Sequence, residues 1–283
     1  ELRVFELCLM DVDSERLELV LRFMQNFVEQ HGLKMKVSAT LELETALKDA
    51  AYVIATFDIG GIETRRRDIE ISAEYGINFA IGDTLGSAGI FNSLRKAPEL
   101  VKLAKSMSRI CPDALLINYT NPMSANLRIL HDAAPNLRMI GFCHGLEHSR
   151  KWLGRILNMP PEKIKIIGGG VNHQLWMLNI EDENGKDLYP LLKESIRQNP
   201  KAYQLDWVRF DLMRHSGYYL TESSYHSAEY VPYFQSQFER LPLSGREEGE
   251  NIDPLKESVE LEQAAEESGS TIPELRQSMG WGD

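Results

Sequence analysis

Apolar and polar positions recur along the chain with two different periods, and the switches between them mark the elements. Residues 3–10 (RVFELCLM) form an apolar run that stops at Asp11-Val12-Asp13. After Ser14, apolar residues return every three or four positions at Leu17, Val20, Leu21, Met24, Phe27 and Val28, up to Gly32. That spacing is the signature of a helix with one buried face. Asp13 or Ser14 is placed to accept from its first free N–H groups, and Gly32 suits its C-terminal stop. The opening therefore reads strand, acidic turn, helix. Residues 51–57 (AYVIATF) predict a second buried strand before Gly60-Gly61. A glycine-punctuated stretch from Gly82 to Gly89 then leads to a helix over 98–110, with Pro98 in its first turn. Residues 114–119 (ALLINY) predict a strand ending at Thr120-Asn121-Pro122, followed by a helix over 123–131. Residues 138–142 (RMIGF) predict another, ending at Cys143-His144-Gly145, with a helix over 146–157. Strands alternating with helices specify a parallel α/β sheet with right-handed crossovers.

From Ile164 the pattern changes. Residues 165–190 suggest two antiparallel strands, with the Glu181-Asp182-Glu183-Asn184-Gly185 cluster as their turn. Beyond Pro190 the chain is mixed helix and loop, and from Gly245 it is acidic and weakly apolar, a surface helix or a disordered end. The change of pattern divides the chain into an α/β unit, residues 1–145, and an α+β unit, residues 146–283.

Composition narrows the function. The chain has 283 residues, with 31 Lys+Arg against 42 Asp+Glu and a net charge of −11. Such acidity argues against a nucleic-acid binder. The basic run Arg65-Arg66-Arg67 reads as a solvated helix face. No stretch approaches the roughly 18 apolar residues of a membrane span, and no basic-then-apolar signal opens the chain. Cys8, Cys111 and Cys143 make neither a CxxC nor an even-numbered framework, which points to a reducing, cytoplasmic setting. The chain starts at Glu1 and enters a strand at once, so it reads as a piece of a longer protein.

In an open parallel sheet, ligands bind at the carboxyl ends of the strands. Those ends carry Asp11, the 58–61 loop, Asn118 to Asn121, and Cys143-His144. Asp11 reads either as a ribose acceptor or as a helix-capping neighbour, and Asn118 joins it as a cofactor-binding position. Asn121 is a turn residue or an amide for a sugar hydroxyl or nicotinamide. Cys143 and His173 could ligate a divalent ion, although their 30-residue spacing is no metal motif and also fits a buried thiol and a core histidine. Their locations favour the pair: Cys143 ends a strand, and His173 follows Gly168-Gly169-Gly170, where backbone can approach a ligand closely. Residues 217–234 (GYYLTESSYHSAEYVPYF) read equally as an aromatic sugar loop or a polar helix with a tyrosine face.

The ordered set MDVDSERLE, DTLGSAGIFNSLR, INYTNPMSANL, GFCHG, GGVNH and GYYLTESSYHSAEY resembles glycoside hydrolase family 4, with its melibiase-type α-galactosidases as the closest likeness. The likeness runs from about residue 3 to 235, without the family's first strand and glycine loop and without its C-terminal part. It implies a Rossmann-like parallel sheet followed by an α+β substrate domain, in the manner of lactate and malate dehydrogenases. It also implies a glycosidase that uses NAD and a divalent metal, typically Mn²⁺, in place of paired carboxylates. The sugar is oxidised at C3, loses its C2 proton, eliminates the aglycone, adds water and is reduced again. On this resemblance Cys143 and His173 hold the metal, His144 protonates the leaving oxygen, and Glu222, with Tyr225 second, removes the C2 proton. Asn121, Asn172 and Arg95 hold sugar hydroxyls, and Asp11 holds the ribose of NAD. The partner is a small α-glycoside, galactoside or galacturonide, and the protein is expected to be a homo-oligomer. Two other readings stay open: a lactate/malate-type dehydrogenase, and a non-catalytic nucleotide-binding fragment.

Overall fold

A computed structural model describes residues 6–240. The chain divides into two units: 6–50 with 109–111, and 51–108 with 112–240. The 145/146 boundary read from the sequence follows the change of pattern along the chain and falls inside the second of these. The acidic tail and residues 3–5 of the first strand lie outside the described residues.

In the first unit, β1 (Glu6–Met10) pairs in parallel with β2 (Lys36–Thr40), Cys8 opposite Ser38. Helix α1 (Ser14–Gln30) connects them. The cap is Asp13, whose carboxylate accepts from Glu15 N–H at 3.0 Å and Arg16 N–H at 3.1 Å. Short α2 (Leu43–Leu47) follows β2.

In the second unit, β3 (Tyr52–Ala55), β4 (Leu115–Asn118) and β5 (Arg138–Gly141) form a parallel sheet in that order. Helices α3 (Gly61–Glu74) and α4 (Gly86–Ile110) lie between β3 and β4, and α5 (Met123–Ala133) lies between β4 and β5. Helix α6 (Gly145–Leu157) begins two residues after Cys143. Antiparallel β6 (Lys165–Val171) and β7 (Gln174–Glu181) follow, then α7 (Tyr189–Gln198), α8 (Pro200–Leu205), α9 (Trp207–Ser216), β8 (Tyr219–Leu220) and α10 (Ser224–Ser227). Strand β8 pairs with β7. Leu153 and Leu157 of α6, Met177 and Ile180 of β7, Leu192 of α7 and Phe210 of α9 are buried in one core that fixes the hairpin against these helices. Each such side chain contributes about 1.5–3 kcal/mol by leaving water.

Two sequence expectations need correction. Helix α4 begins at Gly86, twelve residues before Pro98, which sits in its interior. The glycines look like loop punctuation, but Gly89 serves close approach: a Cβ there would overlap the Thr84 carbonyl. Pro98 is exposed, and the Leu94 carbonyl that loses its donor belongs to a residue 62% exposed, so water can replace the missing bond. The second correction concerns the hairpin, which turns at Asn172-His173 rather than at 181–185. His173 takes a left-handed backbone, φ 65°. The acidic cluster makes a later turn, closing a bridge from Glu181 to Asp187. Helix α3 shows little apolar period because its buried residues are Asp68 and Ser72.

Candidate metal and sugar site

Five chain segments of the second unit bring polar side chains to one place. Asp83 comes from the loop before α4, Asn121 from the loop after β4, and Cys143 from the end of β5. His173 sits at the tip of the β6–β7 hairpin, and Glu222 and His226 come from the β8–α10 segment. Cys143, His173 and Glu222 each offer one ligand atom, all within 4.8 Å of one another, and Asp83, His173 and His226 form a second such trio. Glu222, like His173, has a left-handed backbone, φ 71°. A non-glycine residue holds that conformation only where its surroundings over-determine it, and such residues gather at functional sites.

The hydrogen bonds around His173 fix its tautomer. The Thr84 hydroxyl donates to Asp83 Oδ1 at 2.6 Å, and the same hydroxyl oxygen lies 2.9 Å from His173 Nδ1. With its single proton committed to Asp83, the hydroxyl accepts from Nδ1–H, which leaves Nε2 with a free lone pair. An imidazole oriented through a hydroxyl to a carboxylate is a common way to prepare a metal ligand. Burial and the neighbouring His226 hold the His173 pKa below its usual value, so the ring is neutral at neutral pH.

Cys143 has the opposite bias. Burial raises its thiol pKa and so does the charge of Glu222, against hydrogen bonds from Gly145 N–H, 3.3 Å from Sγ, and from the Asn172 amide. The thiol is therefore protonated until a cation displaces the proton. Asn172 Oδ1 is buried without a hydrogen-bond partner. A soft sulfur, a neutral imidazole and a carboxylate together suit a divalent transition metal.

His226 carries the site's fixed positive charge. Burial works against its protonation, yet Asp83 at 3.6 Å, Glu222 at 3.6 Å and Glu229 at 4.0 Å surround it and push its pKa up to about 10. In return His226 holds Asp83 and Glu222 ionised: burial raises both carboxyl pKa values, and the nearby imidazoles more than reverse it. Glu229 is anchored by the N–H groups of Ile81 and Gly82.

The other sequence-predicted residues fall in several places. His144 is exposed just before α6, its ring 4.5 Å from that of His148. Asn121 donates from its amide to Asp83 Oδ2 at 2.7 Å, and buried Lys96 holds its backbone carbonyl at 2.9 Å. Arg95 forms a two-pronged ion pair with Asp68 on α3. Asn118 is fully buried and donates to the Thr120 carbonyl at 2.9 Å, shaping the loop that presents Asn121. Tyr225 packs against the cluster of Val208, Leu212 and Leu220. Asp11 lies in the first unit, where its carboxylate accepts from Asp13 N–H at 3.0 Å. Arg65 is no purely solvated residue, since it reaches to 3.9 Å from Asp83.

Sequence reasoning misses Asp83, Thr84, His226, Glu229 and Lys96. Asp83 and Thr84 lie in the stretch that reads as glycine punctuation. His226 and Glu229 lie in a segment that stands out for its density of Tyr, Ser, Glu and His, without a signal to separate them.

Residues 1–159 match the profile of the family 4 glycosyl hydrolases, and residues 169–279 match that of the C-terminal domain of the same family. An α-galactosidase of Bacillus subtilis (strain 168) is 39% identical over 231 residues, 81% of this chain and 53% of that protein. The chain thus spans about half the length of the curated relatives it matches. A 6-phospho-beta glucosidase of Thermotoga maritima, solved with manganese, NAD+ and glucose-6-phosphate, superposes with a TM-score of 0.74 at 21% identity, over 96% of this chain and 62% of that one. The fold extends to lactate dehydrogenase of Eimeria maxima, solved with NADH and oxamate, at a TM-score of 0.52 and 19% identity, over 80% of this chain and 63% of that one.

Proposed function

Since the chain belongs to family 4 of the glycosyl hydrolases, we propose that it is the site-bearing part of an NAD- and divalent-metal-dependent α-galactosidase. The observation that carries this reading is the convergence of Cys143, His173 and Glu222 from three distant segments onto one point. The donor chemistry fits the metal: a soft thiol whose raised pKa keeps its proton until a cation displaces it, a neutral imidazole with Nε2 free, and beside them a carboxylate already ionised.

Cys143 and His173 would hold the ion, leaving its other positions to sugar oxygens; Asp11 is the residue for the ribose of NAD, and buried Asn118 would act for the cofactor through the loop it shapes after β4. When bound, NAD exchanges a hydride at the sugar C3 and the divalent ion, Mn²⁺ in this reading, draws charge from the neighbouring oxygens, which together make the C2 proton acidic. Glu222 is the base for that proton, with Tyr225 the second choice, and the ionised state that His226 enforces is the state a base needs. His144, exposed beside Cys143, protonates the leaving glycosidic oxygen. Asn121, whose amide Asp83 orients, and Asn172 hold sugar hydroxyls, and Arg95 would have to leave Asp68 to join them.

The test is hydrolysis of aryl α-galactosides, α-galacturonides and 6-phosphoglucosides, with and without NAD, Mn²⁺ and reductant. We expect α-galactoside cleavage that needs all three, with solvent deuterium at C2 of the released sugar and no net NADH. Cys143→Ser should abolish that cleavage. Stoichiometric NADH would instead indicate a dehydrogenase, unlabelled C2 would remove Glu222 from its role, and preference for the charged sugars would reassign the substrate.

A further inference from the structure

Away from the reacting groups, the structure contains a second buried ionic cluster centred on Asp206, which is 1% exposed. Asp206 stands at the cap position of α9, where an Asp side chain ordinarily accepts from its own helix. Here it makes no side-chain cap bond. Its two oxygens reach outward. Oδ1 accepts from Arg209 Nε at 2.6 Å and from Ser224 Oγ at 2.7 Å. Oδ2 accepts from Trp152 Nε1 of α6 at 3.0 Å and from the Tyr219 hydroxyl. The Arg209 guanidinium lies 4.7 Å from the Tyr219 ring centroid and donates to the Leu220 carbonyl at 3.4 Å. The Arg209 N–H in turn donates to Ser224 Oγ at 3.3 Å.

The bonds fall on both sides of one residue. Leu220 precedes Glu222 by two positions and Ser224 follows it by two, so Glu222 is strung between two anchored points in its left-handed backbone. The third anchor, Trp152, belongs to the helix whose start follows Cys143 and His144. A buried carboxylate with all its acceptor sites used and a guanidinium beside it resists displacement, because freeing either charge leaves the other unpaired.

We propose that Asp206, acting through Ser224 and Arg209, is a positioning residue that sets the Glu222 carboxylate relative to the Cys143–His144 end of α6. The proposal rests on the reading of Glu222 as the C2 base, yet its geometry can be tested without turnover. The decisive variant is Ser224→Ala, which cuts one strut and leaves the Asp206–Arg209–Tyr219–Trp152 set whole. Asp206→Asn tests the centre, and Ser149→Ala, a buried α6 hydroxyl with no partner, is the control. In Ser224→Ala, amide hydrogen exchange over 219–226 should quicken about tenfold while 145–157 stays as in the parent. kcat on the aryl α-galactoside should fall about 100-fold with KM within about threefold, the effect of misplacing a reacting group by about an ångström. Ser149→Ala should match the parent in both. The proposal is overturned if exchange over 219–226 is unchanged in Ser224→Ala, or if its thermal midpoint drops while kcat does not. If the parent cleaves no glycoside at all, the functional reading fails, and the exchange pattern still decides the clamp. If Asp206→Asn does not fold, Ser224→Ala decides between the two outcomes by itself.

Discussion

At the scale of single residues, the site depends on closeness that one methyl group can disturb. Gly145 opens α6 beside Cys143, and a Cβ built on it would overlap Glu222 Oε1. Alanine is a good helix residue at a first-turn position, so Gly145→Ala should leave the thermal midpoint within a few degrees. It should still push the Glu222 carboxylate away from Cys143 and His173, weakening Mn²⁺ binding at least about tenfold, which corresponds to about 1.4 kcal/mol. Direct titration with Mn²⁺ checks this, and an unchanged affinity would show that Glu222 can yield at no cost. A second residue-scale prediction concerns pH. His226, faced by Asp83, Glu222, Glu229 and the His173 ring, has a folded pKa raised to about 10. Its stabilisation is whole below about pH 6.5, the unfolded value, and disappears as pH rises towards 10. Glu229, raised by burial, acts in the same direction, whereas lowered Asp83 and Glu222 stabilise above their unfolded values and lose that effect in acid. The metal-free protein should therefore lose thermal stability between pH 7 and 10, and His226→Gln should flatten that slope. An equal slope in the variant would remove His226 as its source.

At the scale of elements, what the sequence made legible was the part set by backbone period. The strand–turn–helix units around Asp11, Asn121 and Cys143 follow from apolar runs and spaced apolar faces, because a parallel sheet buries its strands. Less legible were elements whose buried faces are polar or tightly approached. Helix α3 buries Asp68 and Ser72, and the first half of α4 buries Asn92 and Lys96. These interior polar groups belong to ion pairs and hydrogen bonds, such as Lys96 with Asp58 at 2.7 Å and Asn92 donating to the Asp83 carbonyl at 3.0 Å, which a single sequence cannot pair in advance. The hairpin tip is hidden because 181–185 has the stronger turn composition, while His173 adopts its left-handed backbone against its own preference. Gly89 marks the same lesson. Gly89→Ala would drive a Cβ into the Thr84 carbonyl, backbone that cannot swing aside, so despite the helix preference for alanine it should destabilise by about 1–3 kcal/mol. It should also shift Thr84 away from His173 Nδ1 and weaken metal binding. Chemical denaturation beside a Mn²⁺ titration checks both effects, and a stabilised Gly89→Ala variant would mean that the start of α4 is free to move.

At the scale of the whole molecule, an ion held by Cys143 and His173 with the Glu222 carboxylate beside it ties the end of β5 to the hairpin tip and faces the β8–α10 segment. None of these segments stays in that arrangement once the second unit unfolds, and the unfolded chain keeps no such trio. A cation bound to the folded form alone must therefore raise stability by mass action, about 2.7 kcal/mol at a free concentration one hundred times Kd. The charge balance points the same way. The ion would enter beside two ionised carboxylates, Asp83 and Glu222, that His226 neutralises incompletely. Adding Mn²⁺ should raise the thermal midpoint by several degrees and a chelator should reverse the gain. Binding should release the Cys143 proton, so the gain should grow from pH 6 to pH 8. In Cys143→Ser the gain and its pH dependence should both vanish while the midpoint without metal changes little, because the thiol makes no strong bond that the hydroxyl cannot replace. An undiminished gain in that variant would move the ion to the Asp83–His173–His226 trio, where it would have to displace the proton of His226, and the base assignment of Glu222 would lose its neighbouring metal.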